Sequence, residues 1–564
     1  LPTEKELIDS ILIKGATPGP FYGGGERFLS TCLNGRTISN QTNDHFFDPP
    51  WDEVATWGRK HEPGYYERYE PSYLQIPYFL SSSGQAWYID DASSVFMTFP
   101  ESGNQFSVRI ENNQTEFYTI QRSTPKEALE TYTSLVGRQP ELPDWAVGVW
   151  TNLLEGRDSV FAKANRLKEW NVPVTVIWLI DMYDIESSQG WQFRGWSAGV
   201  YGDLSEVTDS LHSLGFKVLS YFHPYQEEKM PRTHNDNPMY HKLDSMGLLL
   251  KTTDQYRNSR YRYPASGQYD FHNPLMGEIW QGMIQKVLIR DNFDGYMEDF
   301  GDILYLFDLE LNKWFTIDYG IETLLTPHQY ANSYPLIYHK LTYLNANAIK
   351  KDMVSFCRSG SAGSAPYTQI LWGGDQLASW NKEFGYPSAI TSGISSGLSG
   401  YGNWAPDVLC NSPSTELWKR WVQFSAFTPI FRDHLWKNAP TSIDLWTSPE
   451  TRAYFKRYAE IHMELVPYIQ ESLAEYRETG TPMIRHMMLE FPEDSEGYYC
   501  EYQYMFGPKY LVAPVVEKSD RTKKIYFPEG TWKSYWDLDI IHSTGEWITV
   551  PAPLDLIPVY KRME

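Results

Sequence analysis

The chain has 564 residues, 41% of them hydrophobic and 16% aromatic, including 21 Trp and 40 Tyr. At roughly 100–200 residues per domain, and about 200–250 for a closed α/β barrel, that length predicts two or three domains, and the composition excludes a disordered, collagen-like or disulfide-scaffold chain. A formal net charge of −22 argues against nucleic acid as a partner, and the absence of any run of 18 apolar residues excludes a membrane-spanning helix.

Residues 1–140 read as an N-terminal antiparallel β-sandwich. Short alternating runs such as Ser72-Tyr73-Leu74-Gln75-Ile76, Ala86-Trp87-Tyr88-Ile89 and Gln105-Phe106-Ser107-Val108-Arg109-Ile110 are separated by turn formers. Tyr22-Gly23-Gly24-Gly25-Glu26 lies in this region and lacks dinucleotide-loop spacing. Thr124-Pro125-Lys126-Glu127 then predicts a helix start, with Thr124 as cap and Glu127 closing a capping box.

Residues 141–480 change texture. Apolar bursts at 145–150, 172–180, 216–222, 293–300, 353–357 and 369–372 alternate with amphipathic stretches such as 158–170 and 204–214. Continuous apolar strands alternating with helices predict a parallel sheet buried on both faces. Several bursts end in Asp181, His223, Asp299, Arg358 or Asp375, the pattern left by a (β/α)8 barrel whose active site lies at the strand C-termini. A doubly wound sheet would alternate too, but no Gly-rich phosphate loop accompanies it. Segment 226–270 is polar and predicts long surface loops; the helical stretch 452–478 stops at Gly480-Thr481-Pro482. Residues 481–564 return to β texture as a C-terminal β domain.

Cys32, Cys357, Cys410 and Cys500 show no CxxC pair or zinc spacing, and the 13 His include no HExxH. The start at Leu1, without a signal-peptide core, and the sequons at Asn40 and Asn113 lean toward a processed or secreted chain. Trp and Tyr suit the C–H faces of sugars, although a large core uses the same residues.

Two acidic strand ends suggest chemistry: Glu298-Asp299-Phe300-Gly301-Asp302 and Trp372-Gly373-Gly374-Asp375-Gln376. Cleaving a glycosidic bond needs one ionised carboxylate at the anomeric carbon and one protonated carboxyl at the leaving oxygen. Side chains alternate along a strand, so only one of Glu298 and Asp299 can face the barrel interior; the sequence pattern leaves open which.

These stretches, together with 135–145, Cys357-Arg358-Ser359-Gly360-Ser361 and Phe431-Arg432-Asp433-His434, resemble glycoside hydrolase family 31, with the sulfoquinovosidase branch most similar. The resemblance runs from about Phe21 to Val516. It implies a retaining α-glycosidase with Asp299 as nucleophile and Asp375 as general acid/base, a small carbohydrate or glycoside as substrate, and no metal or organic cofactor. It also implies sugar contacts for Arg358 and His434 and a residue facing the non-reducing end at Asp181; Trp372, which could be core, is expected from its place beside Asp375 to line the sugar pocket. The branch holds a sulfonate with an Arg, a Trp and a Tyr. Here Arg194 and Trp196 are differently spaced and Asp407 replaces the Tyr, which favours a neutral α-hexoside (α-glucoside or α-galactoside type) over the alternative α-sulfoquinovoside. Asp407 is expected to contact a sugar hydroxyl. Two further readings stay open: a catalytically inactive sugar-binding protein, and a serine esterase through Gly393-Ile394-Ser395-Ser396-Gly397.

Overall fold

The computed structural model describes residues 10–42, 70, 72–180, 201–228, 236–252, 266–302, 307–308, 313–314, 317–318, 327–409, 412, 414–434 and 443–563. Two four-stranded antiparallel sheets form the N-terminal part. In spatial order, one runs Ile11–Ala16, Gln105–Ile110, Val95–Phe99, Arg36–Ser39; the other runs Phe21–Gly25, Gln75–Ser81, Gln85–Asp90, Glu116–Gln121. Alternation buries Phe106, Val108 and Ile110 while exposing Gln105 and Arg109. The buried set meets Phe79 and Trp87 of the other sheet, with ring centroids 4.8 and 4.6 Å from Phe106, so the sheets pack as a sandwich. The helix Pro125–Val136 begins at the expected capping box: Thr124 accepts from Glu127 N–H, and the Glu127 carboxylate accepts from Thr124 N–H.

Eight parallel strands follow: β1 (Val149–Asn152), β2 (Val174–Trp178), β3 (Lys217–Phe222), β4 (Gly295–Glu298), β5 (Val354–Cys357), β6 (Ile370–Trp372), β7 (Trp404–Ala405 and Val408–Leu409) and β8 (Phe431–His434). Pro406, which has no N–H for the ladder, divides β7. Its first half pairs with β6 and its second with β8, and β8 pairs with β1, closing the ring. Every pair is parallel, and helices such as Arg157–Glu169, Leu204–Ser213 and Pro327–Ile349 connect the strands. β1, β4 and β5 are buried along their whole length, as a sheet covered on both faces requires. Trp150, Trp178, Phe356, Trp372 and Arg432 fill the interior, so the barrel is packed rather than open.

The insertion after β3 departs from its reading as surface loops. Its described part holds the helix Pro238–Ser245 and an antiparallel arrangement of Tyr225–Glu227, Leu249–Thr252 and Ser266–Tyr269. Polarity hid these strands because Gln226 and Gln268 are buried; Gln226 accepts a hydrogen bond from the Tyr269 hydroxyl at 2.9 Å. The helix Pro449–Thr479 ends where expected, with Gly480 left-handed at φ +80°. A six-stranded antiparallel sheet and a two-stranded ribbon, Thr522–Phe527 with Glu546–Pro551, complete the C-terminal part.

β8 alternates Arg432 and His434 inward with Asp433 outward. Asp433 is wholly buried against Thr151, whose hydroxyl donates to it at 2.9 Å, and burial pushes its carboxyl up to about 8. The unfolded chain releases this proton in the ordinary carboxylate range, so the native state loses stability as pH rises from about 4 to 8. Asp433→Asn needs no ionisation. Its unfolding free energy should match wild type near pH 4 and exceed it by about 5 kcal/mol at pH 8, as read by urea denaturation at both pH values.

Candidate active site

Asp299 is the first residue after β4 and Arg358 the first after β5, while Asp375 lies three residues beyond β6. All three emerge at the C-terminal mouth of the barrel. One nitrogen of Arg358, Nη1, lies 3.4 Å from Asp299 Oδ1 and 3.4 Å from Asp375 Oδ2. The two carboxylate oxygens are therefore separated by no more than twice that distance. The rest of the guanidinium grips Asp302, through Nη2 at 3.0 Å and Nε at 3.2 Å. Phe300 and Tyr73 rings lie 4.4 and 4.8 Å from the cation, which is almost wholly buried.

Asp299 is surrounded by donors. The Tyr221 hydroxyl bonds its Oδ2, and Phe300 N–H donates to Oδ1 at 2.9 Å. Its side chain is 9% exposed against 23% for Asp375, so Asp299 sits deeper and Asp375 nearer solvent. The pleat settles which acidic neighbour faces the mouth: Glu298 points the other way, to His339 on the helix Pro327–Ile349.

Beneath this group lies a second buried ion pair. Asp407, in the break of β7, is wholly buried; its Oδ1 is bonded by Arg432, and its Oδ2 accepts from Trp372 Nε1 at 2.8 Å and His434 Nδ1 at 3.1 Å. Burial pushes the Asp407 carboxyl up, but the charges of Arg432 and His434 and the bonds from His434 and Trp372 pull it below the ordinary range. A carboxylate only accepts, so His434 donates through Nδ1 and its ring is held in one orientation. Asp407 thus braces Trp372 and His434 from below. Asp181, Arg194 and Trp196 lie outside the described residues.

Ser395 is no nucleophile elbow. It sits within the helix Tyr386–Leu398, wholly buried, with its Oγ bonded to the Arg27 backbone. Among the described residues, Glu298, His339 and Cys357 place donor atoms within 4.8 Å of one another, the spacing of a metal cluster. Each donor atom already pairs with a protein group.

Four contributors escaped the sequence reading. Arg432 could have been found from parity, since it is two residues from His434 on one strand. Asp302 lies in a quoted loop, but only folding turns it onto Arg358. Tyr221 lies next to last in an apolar burst that reads as core. Tyr73 comes from the N-terminal part, just before the strand Gln75–Ser81, where its carbonyl accepts from Gly360 N–H at 3.1 Å. Gly374, at φ +73°, leaves room for the Tyr73 ring; a Cβ there would land on it.

Residues 139–472 match the Glycosyl hydrolases family 31 TIM-barrel domain, and residues 480–564 match the family's C-terminal domain. A sulfoquinovosidase of Escherichia coli K12 is 27% identical over 96% of this chain and 79% of its own length. An isomaltosyltransferase of Sporosarcina globispora is 26% identical over 95% of this chain but 52% of its own length, so the chain spans about half of that relative. A family 31 sulfoquinovosidase from E. rectale, solved with an aza-sugar inhibitor, shares the fold with a TM-score of 0.85 at 24% identity, over 98% of this chain and 82% of that one. With well over half its length matched by the barrel domain and the remainder of its C-terminus matched in turn, the chain belongs to glycosyl hydrolase family 31.

Proposed function

We propose that the protein is a retaining exo-α-glycosidase acting on small glycosides with a terminal neutral α-linked hexose. The observation that carries this reading is the single guanidinium nitrogen of Arg358 within 3.4 Å of both Asp299 and Asp375. A double displacement needs carboxyl groups about 5–5.5 Å apart, whereas an inverting pair stands about 6.5–9.5 Å apart to admit water. The ceiling set by Arg358 favours the former. In the first step an Asp299 oxygen bonds to the anomeric carbon, and the Asp375 proton passes to the leaving oxygen as the glycosidic bond breaks. In the second, Asp375 takes a proton from water, whose oxygen displaces the Asp299 ester. The deeper Asp299 and the more solvent-exposed Asp375 suit these roles.

Charge supports a neutral sugar. Asp299, Asp302 and Asp375 share one guanidinium, Arg358, while Asp407 is spent on Arg432 and His434, so carboxylates outnumber cations at the mouth even when Asp375 carries its proton. The surplus is negative, which stabilises a developing oxocarbenium ion and opposes a sulfonate. The ion pair with Arg432 weakens the repulsion expected of Asp407 alone, so the argument rests on the sum. A sulfoquinovosidase is the second reading, favoured by the E. coli relative's similarity over 96% of this chain.

Hydrolysis of aryl α-glucoside, α-galactoside, α-xyloside and α-sulfoquinovoside, with the product anomer followed by NMR, tests the proposal. A neutral hexoside should be preferred at least about tenfold in kcat/KM and release the α-anomer first; a β-anomer product or preference for the sulfonated sugar overturns it. Asp299→Ala should lower kcat by about a thousandfold or more on every substrate, and Asp375→Ala should spare a nitrophenyl leaving group more than an alkyl one. Full turnover by Asp299→Ala would instead remove the nucleophile from the scheme. Asp407→Ala strands a buried guanidinium and should cost about 3–5 kcal/mol in urea unfolding, and the loosened His434 should raise KM.

A further inference from the structure

Behind the proposed nucleophile lies a buried polar chain that the mechanism does not use. His339 Nδ1 is 2.8 Å from Glu298 Oε2, and its Nε2 is 3.0 Å from Ser359 Oγ. Ser359 in turn donates to the Phe300 carbonyl at 2.7 Å. Glu298, His339 and Ser359 are all fully buried. Phe300 has φ +60°, left-handed for a residue with a Cβ, and its N–H points at Asp299 Oδ1. Such a conformation is strained for a residue with a Cβ and persists only where its surroundings hold it.

The protons along this chain can be counted. A carbonyl only accepts, so the Ser359 hydroxyl proton is spent on Phe300. Ser359 Oγ must then accept from His339, which fixes a proton on Nε2. One more proton lies between Nδ1 and Oε2, and on either atom the Glu298–His339 pair sums to zero charge. Cys357 Sγ stands 3.7 Å from the other Glu298 oxygen, with its S–H available to donate. Burial pushes the Glu298 carboxyl up and His339 opposes it. A carboxyl adjacent in sequence to Asp299 therefore adds no net charge beside it.

We propose that Glu298, His339 and Ser359 are positioning residues: a proton-locked relay that holds the Phe300 peptide in its left-handed turn and so sets the orientation of Asp299. The turn does two things at once. It aims the Phe300 N–H at Asp299, and it lays the Phe300 ring 4.4 Å from the Arg358 guanidinium. The kinetic part of the proposal rests on Asp299 being the nucleophile; the conformational part stands on the hydrogen bonds alone.

The test compares Ser359→Ala, Glu298→Ala and Glu298→Gln with wild type on the best aryl α-glycoside across pH, together with a crystal structure of Ser359→Ala. Ser359→Ala should lose about 10–100-fold in kcat with KM within about threefold, and its kcat/KM profile should move its acid limb to higher pH because Asp299 loses a donor. Glu298→Ala should fall similarly, and Glu298→Gln, whose amide can still donate to Nδ1, should recover at least about tenfold of that loss. In the Ser359→Ala crystal, Phe300 should leave the left-handed region and release Asp299. Wild-type kcat and an unmoved acid limb in Ser359→Ala overturn the proposal. So does an unchanged Phe300–Asp299 contact in its crystal, a Glu298→Gln as impaired as Glu298→Ala, or a metal ion found among Glu298, His339 and Cys357. If wild type hydrolyses none of the glycosides, the proposed function fails, while the crystal still decides the relay.

Discussion

A buried guanidinium with more carboxylates than it can neutralise is the constraint around which this barrel mouth is organised. Arg358 satisfies Asp302 with two nitrogens and offers the remaining one to Asp299 and Asp375 together. Taking a cation out of water is expensive unless its partners stay fixed, so the strand ends that carry these residues are held in register by the cation they share. Three acids around one base leave two surplus negative charges, of which a single proton removes one. That is the charge state the proposed nucleophile and general acid need.

The same logic repeats one layer down. Arg432 lies over the barrel axis with Trp178, Phe356 and Trp372 rings 5.3, 4.8 and 4.9 Å away, and Asp407 neutralises it. Because β7 is broken by Pro406, Asp407 sits where an uninterrupted strand would spend its backbone on the ladder. Its carboxylate instead ties Trp372 of β6 to Arg432 and His434 of β8. The break is thus part of how three strands are cross-linked under the site.

The barrel alone does not complete this arrangement. The Tyr73 ring faces Arg358 from the N-terminal part, which is fastened to the barrel by hydrogen bonds between Gly360 and the Tyr73–Gln75 backbone and by Gly25 and Arg27 to Ser399 and Ser395. Ser395, from the short esterase-like pattern in the helix Tyr386–Leu398, and the helix's C-cap Ser399 serve as docking points for the N-terminal part.

Residues whose role follows from local pattern were legible: apolar bursts became β1 to β6, the Thr124 capping box formed, and Gly480 stopped its helix. β7 and β8 were not, because the two dipeptide halves of β7 have no periodicity to show and β8 carries Arg432, Asp433 and His434 within four buried residues. Charged residues read as surface unless their partners are known, and Asp407 lies 25 residues from the arginine that permits its burial. The Glu298/Asp299 ambiguity has the same root. Two adjacent acids are equivalent in a sequence, and what distinguishes them is a histidine 41 positions away that accounts for one charge while an arginine shares the other. Long-range pairing therefore decides which acid faces the mouth, and local propensity decides only that both arrive at the end of one strand.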